Sequence, residues 1–155
     1  MMESLAAVRP DDWNLPLLLH VLGAMTLVGA LVLATASLAA TWRRGSHVLT
    51  RLGFRALLWA AIPAWIATRV GAEWVADEEM IPSDDPPSWV DVGYQVSDPG
   101  LLLLVVATIL TGIGARRTAR DTGSAVGLDR VATVLLAISL VTYLVAVWAM
   151  TTKPD

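Results

Sequence analysis

The stretch LPLLLHVLGAMTLVGALVLATASLAAT, residues 15–41, is the longest of four apolar runs in the chain and determines its fold class. A helix rises about 1.5 Å per residue, so about 20 apolar residues cross a hydrocarbon core about 30 Å thick. Three further runs lie at 52–72, 100–115 and 131–150. The composition agrees, because 55% of the residues are hydrophobic and the mean hydropathy is +0.61. We therefore expect an all-α integral membrane protein, one four-helix bundle over residues 1–155.

The charges give the orientation of this bundle. Eight of the 11 basic residues lie in two clusters between apolar runs: Arg43, Arg44, Arg51 and Arg55, and Arg116, Arg117, Arg120 and Arg130. Segment 73–98 contains eight acidic residues and no Lys or Arg. Because cytoplasmic loops collect Arg and Lys, we expect both arginine clusters inside, near anionic lipid headgroups of the bilayer. Both termini and an acidic loop at 73–98 then lie outside a bacterial inner (plasma) membrane, in a multi-pass protein.

Two of the expected helices carry local signals. Pro63 removes a backbone hydrogen bond near the middle of the second helix and predicts a kink there. Asp98 followed by Pro99 is typical of a helix start, and places the third helix after the acidic loop. Residues 88–96 fit either a short surface helix, which SWVD at 88–91 would begin as a capping box, or an alternating strand. We favour the helix, because a lone strand would have no partner.

Polar side chains inside the expected spans are the strongest candidates for function. His20, Arg69, Glu73 and Tyr143 are expected at similar depth near the outer face, with Asp98 at the rim. Arg69 and Glu73 are four residues apart, so they share a helix face and can pair. Ionisable groups at such depth usually face the bundle interior or a wet cavity. These five residues predict an outer ligand pocket; alternatively, Arg69 reaches the headgroups, Glu73 lies in the loop and His20 makes one interhelical hydrogen bond.

Several activities are excluded or disfavoured by the sequence. The chain contains no cysteine, which excludes a disulfide framework, a thiolate metal site and a cysteine nucleophile. It also lacks a glycine-rich phosphate loop, a GxSxG elbow and an HExxH pair. We expect neither an enzyme nor a nucleic-acid partner.

Metal or haem binding depends on His20. The other histidine, His47, is expected on the opposite side of the membrane, so the two cannot share a haem. Met25 or Met150 would then have to supply the second ligand to haem b or copper. Met25 points to a different helix face, which leaves His20 and Met150 as the weak candidates. We expect no cofactor, with haem b or copper as the alternative.

Small residues form stripes on two helices. They are Gly23, Gly29, Ala30, Ala34 and Ser37 on the first helix, and Thr108, Gly112 and Ala115 on the third. Such stripes let helices approach closely, either inside the bundle or against another subunit. We favour packing inside the bundle.

The chain also resembles a protein family. LLHVLGA at 18–24, VGA at 28–30 and MTTKP at 150–154 are similar to uncharacterised small four-helix proteins of the bacterial inner membrane, akin to the copper-resistance-D-like group. The resemblance implies a four-helix bundle and a role for His20 in handling a cofactor or metal. The chain departs from that pattern by lacking a second histidine ligand.

Two functions follow from these observations. The first is a non-catalytic accessory or scaffold subunit that docks to other membrane subunits or to a second copy of itself. The second is a small-ligand membrane protein that binds or transports a haem, metal, quinone or other solute through the outer pocket. The first needs no special chemistry, whereas the second explains why Arg69 lies within a span.

Overall fold

A computed structural model describes residues 14–43, 45–81, 87–120 and 125–152 of the chain, the side chain of Trp89 excepted. Within these ranges the structure is helical and contains no strand, which confirms the all-α prediction. The described residues do not include Arg44 of the first arginine cluster, nor Lys153 and Pro154 of the MTTKP stretch.

Four helical rods make up the described structure. The first is α1 (Asn14–Ala40), and the second comprises α2 (His47–Ala56), a π-helical segment (Leu57–Ala61) and α3 (Ile62–Glu78). The third is α4 (Ser88–Ala119) and the fourth is α5 (Val126–Thr152).

The π-helical segment lies directly before Pro63 in the second rod. Proline has no N–H to donate to the carbonyl four residues earlier, so the regular hydrogen-bond ladder is interrupted here. The N–H of Ile62 donates to the Leu57 carbonyl, five residues back, as in a π-helix. The rod thus passes the proline without ending, in the region where the sequence predicts a kink.

The rods pack side by side, with α1 against α3 and α5, and α4 against α5 and α2. Contact between α3 and α4 is sparse, so the rods leave space there. The end of α1 and the start of α5 meet at one end, where Thr41 Oγ1 donates to Asp129 Oδ2 over 2.9 Å. We call this the arginine end, since Arg43, Arg120 and Arg130 lie there, and the opposite end, with Asp77 and Asp91, the acidic end.

The expected start of the third helix at Asp98 and Pro99 is wrong, because α4 begins at Ser88 and runs through Pro99. Pro99 leaves the carbonyl of Gln95 without its helical donor, but Gln95 is exposed, so water can take that place. Residues 88–96 are therefore helical, and continue α4 rather than forming a separate surface helix. The expected acidic loop at 73–98 is correspondingly shorter, since 73–78 belong to α3 and 88–98 to α4.

In the part of the chain that the structure describes, three helices are long and apolar enough to cross a membrane: Asn14–Ala40, Val90–Ala119 and Val126–Thr152. They contain the expected spans at 15–41, 100–115 and 131–150 apart from Thr41, which follows α1. The span expected at 52–72 lies in the second rod, which the π-helical segment divides into shorter helices.

Leucine and alanine form the centre of the packing. Leu31, Leu38, Leu57, Leu104 and Leu136 are completely buried, with small residues between them. The structure also buries most of the α1 stripe, namely Gly23, Ala30, Ala34 and Ser37. Gly29 is different, because it is exposed and nothing lies within 4 Å of where a side chain would begin.

Candidate functional site

A cavity of about 320 Å³ lies towards the acidic end, where α3 and α4 diverge. We call it the acidic-end cavity. All four rods contribute to its walls, which are mainly apolar. The polar side chains in the lining include His20, Thr68, Arg69, Tyr94 and Tyr143. Predominantly apolar walls with a few converging polar groups are typical of small-molecule sites.

His20 lines this cavity from α1 and is held by α3. Its Nδ1 lies 3.0 Å from the main-chain oxygen of Thr68. A carbonyl oxygen only accepts hydrogen bonds, so Nδ1 carries the proton and donates it. In the neutral ring, Nε2 is then left with a lone pair that can accept a hydrogen bond or bind a metal.

The hydrogen bond of His20 depends on a close approach of α1 and α3. A Cβ on Gly71 would lie 2.5 Å from the backbone nitrogen of His20, and a Cβ on Gly23 would lie 2.7 Å from the backbone nitrogen of Thr68. Only glycine fits such distances at both positions. The two glycines therefore bring the Thr68 carbonyl within reach of the histidine ring.

Arg69, Glu73 and Tyr94 form a polar cluster that joins α3 to α4. Arg69 Nη2 lies 3.0 Å from Glu73 Oε1, and Tyr94 donates its hydroxyl proton to Glu73 Oε2 over 3.1 Å. The Arg69 guanidinium also lies 4.5 Å from the centre of the Tyr94 ring, a cation–π contact. The expected pairing of Arg69 with Glu73 is present, and Tyr94, which the sequence did not single out, orders both charged side chains.

Trp65 and Tyr143 form another part of the cavity lining. Trp65 Nε1 donates to the main-chain oxygen of Ser97 over 3.3 Å, which is a second polar link between α3 and α4. The hydroxyl of Tyr143 is buried and has no hydrogen-bond partner among the described residues. It faces Gly100, where a Cβ would collide with the hydroxyl oxygen.

The structure thus places His20, Arg69 and Tyr143 around one cavity, with Glu73 attached through Arg69. Asp98 does not join them; its side chain is exposed and does not line the cavity.

The weak metal candidates can also be placed. Met150 lines the same cavity as His20, whereas Met25 is 69% exposed and lies outside the lining. Within the described ranges, no three His, Asp or Glu side chains come together as a metal-binding group.

Sequence reasoning missed a buried carboxylate at the arginine end. Asp129 is 1% exposed and lies in the first turn of α5. A usable signal existed: Asp129 is three residues before Ala132 and seven before Leu136, both buried, which places it on the inward face of α5.

Comparison of the chain with protein-family models, with curated protein sequences and with solved structures found no match.

Proposed function

We propose that this chain is a multi-pass protein of the bacterial inner membrane. In this four-helix bundle the second rod, kinked near Pro63, crosses the membrane in addition to the three long apolar helices. The large apolar side chains that remain exposed support this, among them Leu18, Leu102, Val141 and Trp148. Such faces are expected to contact lipid acyl chains. Because both arginine clusters belong to one end, that end faces the cytoplasm, and the acidic end and both termini lie outside.

Cysteine labelling tests this orientation, since the sequence has no native cysteine. Asp77→Cys introduces an exposed thiol at the acidic end, and Ala119→Cys introduces one at the arginine end. We expect a membrane-impermeant maleimide to label Asp77→Cys in intact bacterial cells, and Ala119→Cys only after the membrane is opened. The reverse pattern would contradict the orientation, and equal labelling of both in intact cells would contradict a multi-pass topology.

We further propose that the protein binds a small molecule in the acidic-end cavity and does not convert it. The observation that carries this proposal is the cavity itself, about 320 Å³ in volume, with His20 in its wall. This volume lies at the lower end of the range of roughly 300–1,000 Å³ that is common for ligand pockets.

The chemistry of the lining restricts the ligand. Among the described residues of the lining, Arg69 is already paired with Glu73, and Glu79 is acidic, so these residues offer an anionic ligand no free positive charge. In the neutral ring, His20 Nε2 can accept a hydrogen bond, which favours a ligand that carries a hydroxyl or N–H group. We therefore propose an uncharged, largely apolar molecule with at least one such donor. A quinol has this chemistry.

Removal of the Nε2 acceptor is the direct test. In His20→Asn, the side-chain amide keeps a donor near the position of Nδ1, so the bond to Thr68 is retained while the acceptor is lost. His47→Asn is the matched control, because His47 is exposed at the other end. We expect native mass spectrometry of gently extracted protein to show an added mass of a few hundred daltons in wild type and His47→Asn. In His20→Asn, we expect the ratio of bound to free protein to be at least tenfold lower.

Other results of this experiment would contradict the proposal. If His20→Asn retains the bound molecule, His20 is not part of the binding site. If wild type carries no bound molecule, the proposal of a ligand is wrong. If the purified protein shows a visible absorption band of haem, or contains copper, the ligand is a cofactor held by His20 and Met150 and not an uncharged molecule.

An accessory or scaffold subunit is our second candidate, and Gly29 is the observation that favours it. This residue of the α1 stripe is exposed with open space above it, so a helix of another subunit or of a second copy can approach there. The same mass spectra distinguish the two functions, because a subunit adds kilodaltons of protein mass. Loss of that mass in Gly29→Leu would support docking at this position.

A further inference from the structure

Asp129 lies at a junction of all four rods, at the opposite end from the acidic-end cavity. Its carboxylate, on α5, contacts Thr41 after α1 and Thr50 on α2. On α4 it faces Gly114, where a Cβ would lie 3.4 Å from Asp129 Oδ1. Absence of a side chain at Gly114 therefore leaves space beside this oxygen.

The two carboxylate oxygens of Asp129 have different surroundings. Oδ2 accepts hydrogen bonds from Thr41 Oγ1 over 2.9 Å and from Thr50 Oγ1 over 2.6 Å. Oδ1 is buried and has no hydrogen-bond partner in the part of the chain that the structure describes. An unpaired buried carboxylate oxygen is costly, so a positively charged or proton-donating partner is expected there.

A cavity of about 240 Å³ adjoins the carboxylate, and we call it the arginine-end cavity. Three hydroxyl-bearing residues belong to its lining, namely Ser46, Thr50 and Thr118. Thr50 donates its proton to Asp129 Oδ2, and Thr118 donates to the Gly114 carbonyl over 2.9 Å. With these protons engaged, both hydroxyl oxygens have lone pairs left for a cation.

Three described arginines of this end, Arg43, Arg120 and Arg130, form no ion pair with Asp129. Arg130 is exposed and donates to the main-chain oxygen of Trp42 over 3.2 Å. Arg43 and Arg120 are exposed as well. Among the described side chains, Asp129 forms no salt bridge, and its buried Oδ1 has no hydrogen-bond partner.

We propose that Asp129, together with the hydroxyl oxygens of Thr50 and Thr118, binds a small monovalent cation such as Na⁺ in the arginine-end cavity. Oxygen ligands suit hard cations, and the single carboxylate present here balances one positive charge. The bound ion compensates the buried carboxylate and ties the ends of the rods together. This proposal does not depend on the ligand of the acidic-end cavity.

The test is the thermal unfolding of the full-length protein in detergent, with NaCl compared with choline chloride at constant ionic strength. The charge of choline lies on a nitrogen covered by methyl groups, so hydroxyl and carboxylate oxygens cannot coordinate it as they coordinate Na⁺. We expect a saturable rise of Tm of about 2–4 °C with Na⁺ in wild type. Asp129→Asn is expected to lose this rise, while Asp98→Asn, which removes an exposed carboxylate at the other end, keeps it.

A second variant covers the case in which Asp129→Asn does not fold. Thr118→Val retains the size of the side chain and leaves both hydrogen bonds to Asp129 Oδ2 intact. We expect it to unfold at the wild-type Tm in choline and to need a severalfold higher Na⁺ concentration for the same rise. Equal Tm in Na⁺ and choline for wild type would overturn the proposal, as would an unchanged Na⁺ response in both variants. A Tm that depends on pH but not on Na⁺ would indicate that Asp129 binds a proton instead, and would also overturn the proposal.

Discussion

Gly71→Ala is expected to lower the free energy of unfolding by about 1–3 kcal/mol, the usual cost of overpacking a tight contact. The new Cβ would lie 2.5 Å from the backbone nitrogen and 2.8 Å from the Cα of His20. Backbone atoms cannot move aside as the end of a side chain can, so α1 and α3 must separate. The better helix propensity of alanine, about 1 kcal/mol at most, offsets only part of this cost.

Gly29→Ala and Gly93→Ala are matched controls for this prediction. Nothing lies within 4 Å of a Cβ on Gly29, so that change is expected to be neutral or to stabilise by up to about 1 kcal/mol. A Cβ on Gly93 meets only the terminal methyl of Met150, a flexible side chain that can move. The free energy of unfolding of all three variants is measured by unfolding with SDS in mixed micelles, followed by circular dichroism. If the unfolding curve of Gly71→Ala coincides with that of Gly29→Ala, α1 and α3 are not in such close contact.

Gly100→Ala is expected to have a similarly large effect, about 1–3 kcal/mol, for a different reason. Here the new methyl group collides with the Tyr143 hydroxyl, which is buried between α4 and α5. Tyr143→Phe removes a hydroxyl with no described hydrogen-bond partner, so by itself it is expected to be neutral or to stabilise by up to about 1 kcal/mol.

The double variant Gly100→Ala/Tyr143→Phe tests the assigned cause. If the collision is with the hydroxyl, the second change restores part of the lost stability, and the coupling between the two sites is about 1 kcal/mol or more. The same unfolding assay gives this value. Strictly additive effects would mean that the cost of Gly100→Ala arises elsewhere along α4.

Sequence reasoning succeeded where chain length and polarity decide the structure. The apolar run at 15–41 became α1, Asn14–Ala40, almost residue for residue. Counting residues from the helix ends placed His20, Arg69 and Tyr143 at similar depth, and the structure has all three lining one cavity. Depth along a helix follows from sequence position alone, because the rise per residue is constant.

The failures concern effects that only packing determines. Asp98 and Pro99 look like a helix start, yet α4 continues through them, because the carbonyl that loses its donor belongs to exposed Gln95, where water can replace the donor. The surroundings of Asp129 depend on Thr41 and Thr50, which are 88 and 79 residues away in the chain. No local sequence pattern predicts these contacts, and the neighbouring Arg130 favours the interpretation of Asp129 as an ordinary surface charge.

The bond between the His20 ring and the Thr68 carbonyl makes the imidazole a spectroscopic reporter. The chain has only two histidines, so a nitrogen-15 NMR spectrum of histidine-labelled protein contains few signals. The chemical shifts of Nδ1 and Nε2 distinguish the two neutral tautomers, and only one of them can donate to Thr68. Any event that draws α1 away from α3 frees the ring to exchange between tautomers. The His20 signals therefore follow opening of the α1–α3 contact, while exposed His47 serves as the reference in the same spectrum.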